Sequence, residues 1–150
     1  MEKIKVLIAD DIEGILLQIR SAISNNSKIE IVGEAHDGQE EYDLIEKLEP
    51  DLVFTDNKMP NMNGIDVIDK VVNSNISKKP KFVLVTADTD LYSRANELGV
   101  ICVVNKSNGF DRLNDIIDEY IEYENNPPII ENAQETAKPK ESFFKKLFGK

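Results

Sequence analysis

Short apolar runs alternate along the chain with stretches whose apolar residues recur at helical spacing. Four runs are apolar on both faces and mostly β-branched or aromatic, as is typical of central strands covered by helices; they are 4–9, 52–55, 82–85 and 100–104. A fifth run, 29–34, is more mixed and predicts an edge strand. Five strands and five helical patterns in strict alternation predict an α/β fold, with a parallel sheet and helices on both faces.

The helical patterns place apolar residues on one face each. The first helix is predicted from Ile12, Ile15, Leu16, Ile19 and Ile23. The second begins where Asp37, three residues before Glu40, resembles a capping box, and it ends at Pro50. Further apolar faces predict helices near 65–72, 91–98 and 113–121.

The composition of the chain changes near residue 125. Asn125-Asn126-Pro127-Pro128 cannot continue a helix, because proline lacks the backbone donor and clashes with the preceding turn. We therefore predict a globular domain over 1–124, a flexible linker over 125–140 and a basic amphipathic tail over 141–150. We expect the tail to order when it docks on an anionic membrane, in a partner's groove or on the acidic domain; the alternative is a disordered solubilising end.

Charge and composition exclude several classes of function. The net charge of -10 disfavours direct nucleic-acid binding, since it repels phosphates. No apolar run approaches the roughly 20 residues that span a bilayer, and Met1 leads into a charged segment rather than a signal peptide, so we expect a cytoplasmic protein. One cysteine, Cys102, and one histidine, His36, exclude an intramolecular disulfide and the usual zinc sites.

Polar side chains follow four of the predicted strands. Asp10 and Asp11 follow the first, Asp56 the third, Thr86 ends the fourth, and Lys106 follows the fifth. Because ligands bind outside the carboxyl ends of the strands in sheets of this kind, we expect these side chains to meet at one rim.

The expected cluster of carboxylates needs a cation. Two carboxylates about 4 Å apart repel by roughly 4 kcal/mol at an effective dielectric of 20. Mg²⁺ suits the site, since it prefers oxygen ligands and is commonly held by carboxylates together with a phosphate. Lys106 and Thr86 can bind phosphoryl oxygens. The chain has no glycine-rich nucleotide loop and no other reactive nucleophile, so one carboxylate is the predicted phosphate acceptor.

These residues carry a family resemblance. The pair Asp10-Asp11, the run from Asp56 to Gly64 in the pattern Asp-x-x-Met-Pro-x-x-x-Gly, Thr86-Ala87 and Lys106 together resemble the receiver domain of bacterial two-component response regulators. The resemblance covers about residues 3–123. It implies a doubly wound, flavodoxin-like and CheY-like sheet of strand order 2-1-3-4-5 with five helices.

The same resemblance implies a function and its site residues. Asp56 would accept a phosphoryl group from a histidine kinase, a phosphotransfer protein or a small acyl phosphate. Asp11, Asp56 and the backbone carbonyl of Lys58 would hold Mg²⁺, with Asp10 assisting mainly through water. Thr86 and Lys106 would bind the phosphoryl oxygens and report phosphorylation to the distal face.

The sequence departs from the family pattern at two places. Ser107 follows the lysine where proline is usual, which predicts a looser or differently set loop, and Val103 stands where an aromatic switch residue is common. Lys58 and Asp88 occupy positions that tune acyl phosphate hydrolysis in the family, and we hypothesise an ion pair between them.

The favoured function is a stand-alone phosphoacceptor switch that signals to an unidentified downstream protein by contact and catalyses only its own phosphorylation and dephosphorylation. The alternative is a receiver-like interaction module without phosphoryl turnover in the cell. A phosphohydrolase of the haloacid dehalogenase type is disfavoured, because Asp10 and Asp11 are adjacent rather than in an Asp-x-Asp pattern.

Overall fold

The computed structural model describes residues 2–126. Five parallel strands form one sheet of order β2-β1-β3-β4-β5. The strands are β1 (Ile4–Ala9), β2 (Ile29–Ala35), β3 (Leu52–Thr55), β4 (Lys81–Thr86) and β5 (Cys102–Asn105). The doubly wound fold and strand order expected from the sequence are thereby confirmed.

Five helices connect and follow these strands. They are α1 (Glu13–Ile23), α2 (Gly38–Leu48), α3 (Gly64–Val72), α4 (Tyr92–Glu97) and α5 (Arg112–Asn125), with short 3₁₀ turns at Thr89–Leu91 and Lys106–Asn108. Helix α5 thus reaches the first residue of the predicted linker. The rest of that linker and the predicted tail at 141–150 lie outside the described residues. Within 2–126, no helix has the length and apolar character needed to cross a membrane.

The two faces of the sheet have separate apolar cores. Side chains alternate along a strand, so Val6 and Ile8 pack on one face of β1 and Leu7 on the other. The first face is covered by buried residues of α1 and α5, and the second by buried residues of α2, α3 and α4. Burial on both faces explains why the central strands are apolar throughout.

Helix α1 differs from its predicted extent at its first residue. Ile12 is extended and precedes the helix, and 54% of it is exposed, so it does not join the core as the spacing predicted. The capping box at α2 is also only half formed. Asp37 accepts from the Glu40 backbone N–H at 2.7 Å, but the Glu40 carboxylate accepts from the backbone N–H of His36 at 2.6 Å instead of that of Asp37.

The last strand begins later than predicted. Gly99 has a φ of 81°, and the Val100 N–H donates to the Ala95 carbonyl at 3.0 Å. These contacts close the end of α4, and β5 begins at Cys102.

Candidate functional site

Strand register brings the acidic residues together. Ala9 pairs with Thr55 at the ends of β1 and β3, so Asp10 and Asp56 follow at the same edge. The Asp56 N–H donates to the Ala9 carbonyl at 3.0 Å, which extends the pairing by one residue. The sheet therefore places two carboxylates side by side although 46 positions separate them.

Three carboxylates form a cluster at this edge. Oxygens of Asp10, Asp11 and Asp56 all lie within 4.8 Å of one another. Asp10 and Asp56 are buried, whereas Asp11 is exposed at the mouth of the cluster. Burial is the main cause that raises the pKa of Asp10, and the hydrogen bond to Lys106 opposes it. Because every donor is a carboxylate oxygen, the cluster fits a hard divalent cation such as Mg²⁺.

Lys106 bridges two of these carboxylates. Its Nζ lies 2.7 Å from Asp10 Oδ2 and 3.0 Å from Asp56 Oδ2, and only 14% of its side chain is exposed. Burial lowers the pKa of Lys106, but the hydrogen bonds to Asp10 and Asp56 raise it overall. The ammonium therefore stays charged and offsets part of the repulsion within the cluster.

The loop after β3 is fixed by Asn57 and Gly64. The Asn57 N–H donates to Asp56 Oδ1 at 2.8 Å, and its side-chain oxygen accepts from the Ile65 N–H at 3.1 Å. A Cβ on Gly64 would lie 2.1 Å from the Asp56 carbonyl oxygen, so only glycine fits there. This close approach gives the last position of the Asp-x-x-Met-Pro-x-x-x-Gly pattern a physical reason. Lys58 lies in this loop with an exposed side chain.

Thr86 ends the neighbouring strand β4 and is 1% exposed. Its Oγ1 accepts from the Asp88 N–H at 3.1 Å. Thr86 pairs with Asn105 across the sheet, so Lys106 emerges beside it. The Asp88 carboxylate caps the next turn by accepting from the Asp90 N–H at 3.2 Å. Among the ion pairs of residues 2–126 there is none between Asp88 and Lys58, so the hypothesised pair is wrong for this structure.

An asparagine organises the loop that carries Lys106. Asn105 Oδ1 accepts from the Ser107 N–H at 3.0 Å and from the Ser107 hydroxyl at 2.7 Å. These two hydrogen bonds hold the turn that carries Lys106. Val103 is half-buried and packs with the core beneath α3 and α4, as an aliphatic core residue does.

A buried acid that was not predicted from the sequence lies beside this site. Glu41 of α2 is fully buried, and Thr55 Oγ1 donates to its Oε1 at 2.8 Å. Burial raises the pKa of Glu41 to about 8. Glu41 lies four residues before the buried Ile45 and therefore on the inner face of α2. This spacing is the sequence feature from which its burial could have been predicted.

Comparison with known proteins agrees with the fold and the motifs. The family model of the response regulator receiver domain matches residues 6–118. The protein-glutamate methylesterase/protein-glutamine glutaminase 1 of Caulobacter vibrioides is 38% identical over 109 residues, 71% of this chain and 31% of that protein. The transcriptional regulatory protein PdtaR of Mycobacterium tuberculosis is 38% identical over 104 residues, 68% of this chain and 49% of that protein. The chain thus spans less than half the length of these relatives.

Solved structures also resemble the chain. The REC domain of AraT, a response regulator from Geobacillus stearothermophilus, superposes with a TM-score of 0.71 at 30% identity and covers 83% of this chain and 100% of that one. The response regulator domain of Thermotoga maritima CheB has a TM-score of 0.72 at 21% identity and covers 85% and 100% of the two chains. At 21% identity, the resemblance to the CheB domain concerns only the fold.

Proposed function

Because this chain belongs to the response regulator receiver family, we propose that it is a phosphorelay response regulator that accepts a phosphoryl group from a histidine kinase on Asp56. The observation that carries the proposal is the Lys106 ammonium, which lies 3.0 Å from Asp56 Oδ2 beside a cluster of carboxylates. A phosphotransfer protein or a small acyl phosphate is an alternative donor. The signal then passes to a downstream protein by contact.

The acidic cluster is the proposed Mg²⁺ site. The carboxylates of Asp11 and Asp56 and the backbone carbonyl of Lys58 would hold the ion, with Asp10 assisting mainly through water. Three carboxylate oxygens within 4.8 Å support this assignment. When bound, the ion neutralises charge that develops on the transferred phosphoryl group.

Asp56 supplies the attacking oxygen in the proposed reaction. An O–P bond forms to Asp56 as the P–N bond of the phosphohistidine donor breaks. The electron pair of that bond goes to the imidazole nitrogen, which takes up a proton from water. The Asn57 N–H, which donates to Asp56 Oδ1 at 2.8 Å, orients the carboxylate for in-line attack. The product carries about -1.5 to -2 charge, so the Lys106 ammonium moves to a phosphoryl oxygen.

Thr86 is the proposed second ligand of the phosphoryl group. Its Oγ1 accepts from the Asp88 N–H, which leaves the hydroxyl proton available for donation. A shift of Thr86 toward the phosphoryl group carries the loop after β4 with it, since Asp88 is bound to that oxygen. This movement is the proposed link between phosphorylation and the protein surface.

The proposed chemistry is confined to the chain's own Asp56. The chain would act on no separate substrate and would bind no nucleic acid directly, in keeping with its net charge of -10. What the relatives' names say of methylesterase or transcriptional activity belongs to those longer proteins. The cytoplasmic location stays a prediction.

Intact mass after incubation with acetyl phosphate and Mg²⁺ tests the function. We expect one phosphoryl adduct on the wild-type chain and none on Asp56→Asn. The adduct should disappear when EDTA replaces Mg²⁺. An interaction module without phosphoryl turnover would show no adduct on either protein, and that result would refute the proposal.

We also propose that residues 141–150 dock on another surface. This segment contains Phe143, Phe144 and Phe148 together with three lysines, and the rest of the chain is acidic. Charge complementarity favours docking on an acidic surface, which is the receiver domain, a partner of similar charge or an anionic membrane. Co-sedimentation with anionic liposomes, with and without residues 141–150, tests the membrane version; equal binding would exclude it.

A further inference from the structure

Glu41 is a buried acid that the proposed phosphoryl chemistry does not use. It lies on α2 with 0% exposure, and its Oε1 is 2.8 Å from Thr55 Oγ1. Its Oε2 has no hydrogen-bond partner among the described residues, which makes an ionised carboxylate costly there. Burial raises the pKa of Glu41 to about 8, so the carboxyl group is mostly neutral at pH 7 and can donate a hydrogen bond.

The Thr55 hydroxyl contacts a second oxygen as well. Its Oγ1 lies 3.0 Å from the backbone carbonyl oxygen of Asp56. A hydroxyl has one proton, so it cannot donate fully to both oxygens. An ionised Glu41 accepts from the Thr55 hydroxyl through Oε1. A neutral Glu41 with its proton on Oε1 instead donates to Thr55 Oγ1, and the threonine proton then goes to the Asp56 carbonyl. Glu41, Thr55 and Asp56 then form a chain of two consecutive hydrogen bonds, which run in the same direction and strengthen each other.

The carbonyl at the end of this chain belongs to a peptide that also contacts the acceptor carboxylate. The Asp56 C=O and the Asn57 N–H are the two ends of one planar peptide unit. The Asn57 N–H donates to Asp56 Oδ1 at 2.8 Å, and Lys106 Nζ donates to Oδ2 at 3.0 Å. A bond that holds the carbonyl end therefore also aims the N–H end at the acceptor.

We propose that Glu41 is a positioning residue for the acceptor Asp56 and acts through the Thr55 hydroxyl and the Asp56–Asn57 peptide. The inference rests on the proposed function of Asp56. Gly64 supports it from the other side, because its backbone packs against the same carbonyl oxygen. The hydrogen bond of Glu41 goes to Thr55 and not to a carboxylate of the cluster formed by Asp10, Asp11 and Asp56.

Conservative and disruptive variants at both ends of the hydrogen bond test this role. Glu41→Gln keeps an N–H donor toward Thr55, and Thr55→Ser keeps the hydroxyl. Glu41→Met and Thr55→Val keep the approximate size and remove the hydrogen bond. The matched control is Ile45→Val, which removes one carbon from the core at another fully buried position of α2 and affects no hydrogen bond.

The first measurement is the rate of phosphorylation by acetyl phosphate in Mg²⁺, followed by intact mass and corrected for the folded fraction. We expect Glu41→Met and Thr55→Val to lower the limiting rate about tenfold without changing the half-saturating donor concentration, since a misaligned nucleophile slows the chemical step. The Gln, Ser and Ile45→Val variants should stay within about twofold of wild type. The double variant Glu41→Met/Thr55→Val should be no slower than either single variant.

The second measurement needs no phosphoryl transfer. Amide hydrogen exchange of Asn57 should be faster in Glu41→Met and Thr55→Val than in Glu41→Gln, Thr55→Ser and Ile45→Val. If the wild type forms the adduct but all variants react at the rate of Ile45→Val, the positioning role of Glu41 is overturned. The assignment of Asp56 as the acceptor would be unaffected. If the wild type forms no adduct, the proposed function fails, and the role of Glu41 fails with it. Unchanged Asn57 exchange in both disruptive variants would also overturn the positioning role.

Discussion

Lys106 Nζ lies closer to Asp10 Oδ2, at 2.7 Å, than to Asp56 Oδ2, at 3.0 Å. The lysine is thus held by an acid that remains a carboxylate throughout the proposed reaction. In that reaction Asp10 would keep the Lys106 ammonium at the site while the contact of Lys106 with Asp56 moves to the phosphoryl group. The ion pair with Asp10 therefore holds the Lys106 ammonium in place, and the N–H donor that contacts Asp56 can change its partner.

Removing the lysine should make the domain depend on metal for stability. Lys106→Met leaves the buried Asp10 without its ion-pair partner, and we expect a loss of about 3 kcal/mol in the free energy of unfolding in EDTA. Mg²⁺ should restore more of the stability of the variant than of the wild type, because it supplies the missing positive charge. Urea unfolding with and without Mg²⁺ measures both effects. An equal gain for the two proteins would contradict the expectation.

Glu41 should make stability depend on pH. Its pKa is about 8 in the folded chain and near its ordinary 4.5 when unfolded. Between these values the folded state binds the extra proton, so the contribution that is present below pH 4.5 is lost as pH rises toward 8. Wild type should lose up to about 1.4 kcal/mol per pH unit relative to Glu41→Gln over this range. Urea titrations at several pH values check this, and parallel curves would refute it.

The close approach at Gly64 predicts opposite effects for two alanine substitutions. Gly64→Ala puts a methyl group 2.1 Å from a backbone oxygen, and we expect a loss of at least about 2 kcal/mol together with slower phosphorylation. Gly14→Ala is the matched control, because a Cβ there meets nothing within 4 Å and α1 gains a better helix former. It should stabilise the protein by about 0.5–1 kcal/mol. Thermal unfolding of both variants distinguishes the two effects.

The turn at Asn105 should control how firmly Lys106 is held. Asn105→Ala removes the acceptor of both Ser107 hydrogen bonds, so we expect a loss of about 1 kcal/mol and slower phosphorylation. Ser107→Ala removes only the hydroxyl contact and should cost less. Urea unfolding and the acetyl phosphate assay measure the two variants. A larger effect of Ser107→Ala would refute the assigned roles.

Much of the fold and of the carboxylate cluster could be predicted because strand ends in a parallel sheet share one edge. Asp10, Asp56 and Lys106 could be brought together from their positions alone. The burial of Glu41 beside Asp56 could not be predicted in this way, because a charged residue in a helix is expected to face solvent. The hypothesis of an ion pair between Lys58 and Asp88 was wrong for another reason. Positions in the sequence do not fix the distance between side chains on separate loops.

The pairing of Ala9 with Thr55 has a consequence for the meaning of the signal. Asp10 and Asp56 adjoin only when β1 and β3 are in this register, and a slip of one residue would turn one of the two side chains to the opposite face. A misassembled or half-unfolded chain thus lacks the acceptor site altogether. The proposed phosphorylation of Asp56 therefore requires a folded domain, so a phosphorylated molecule would also be a correctly folded one.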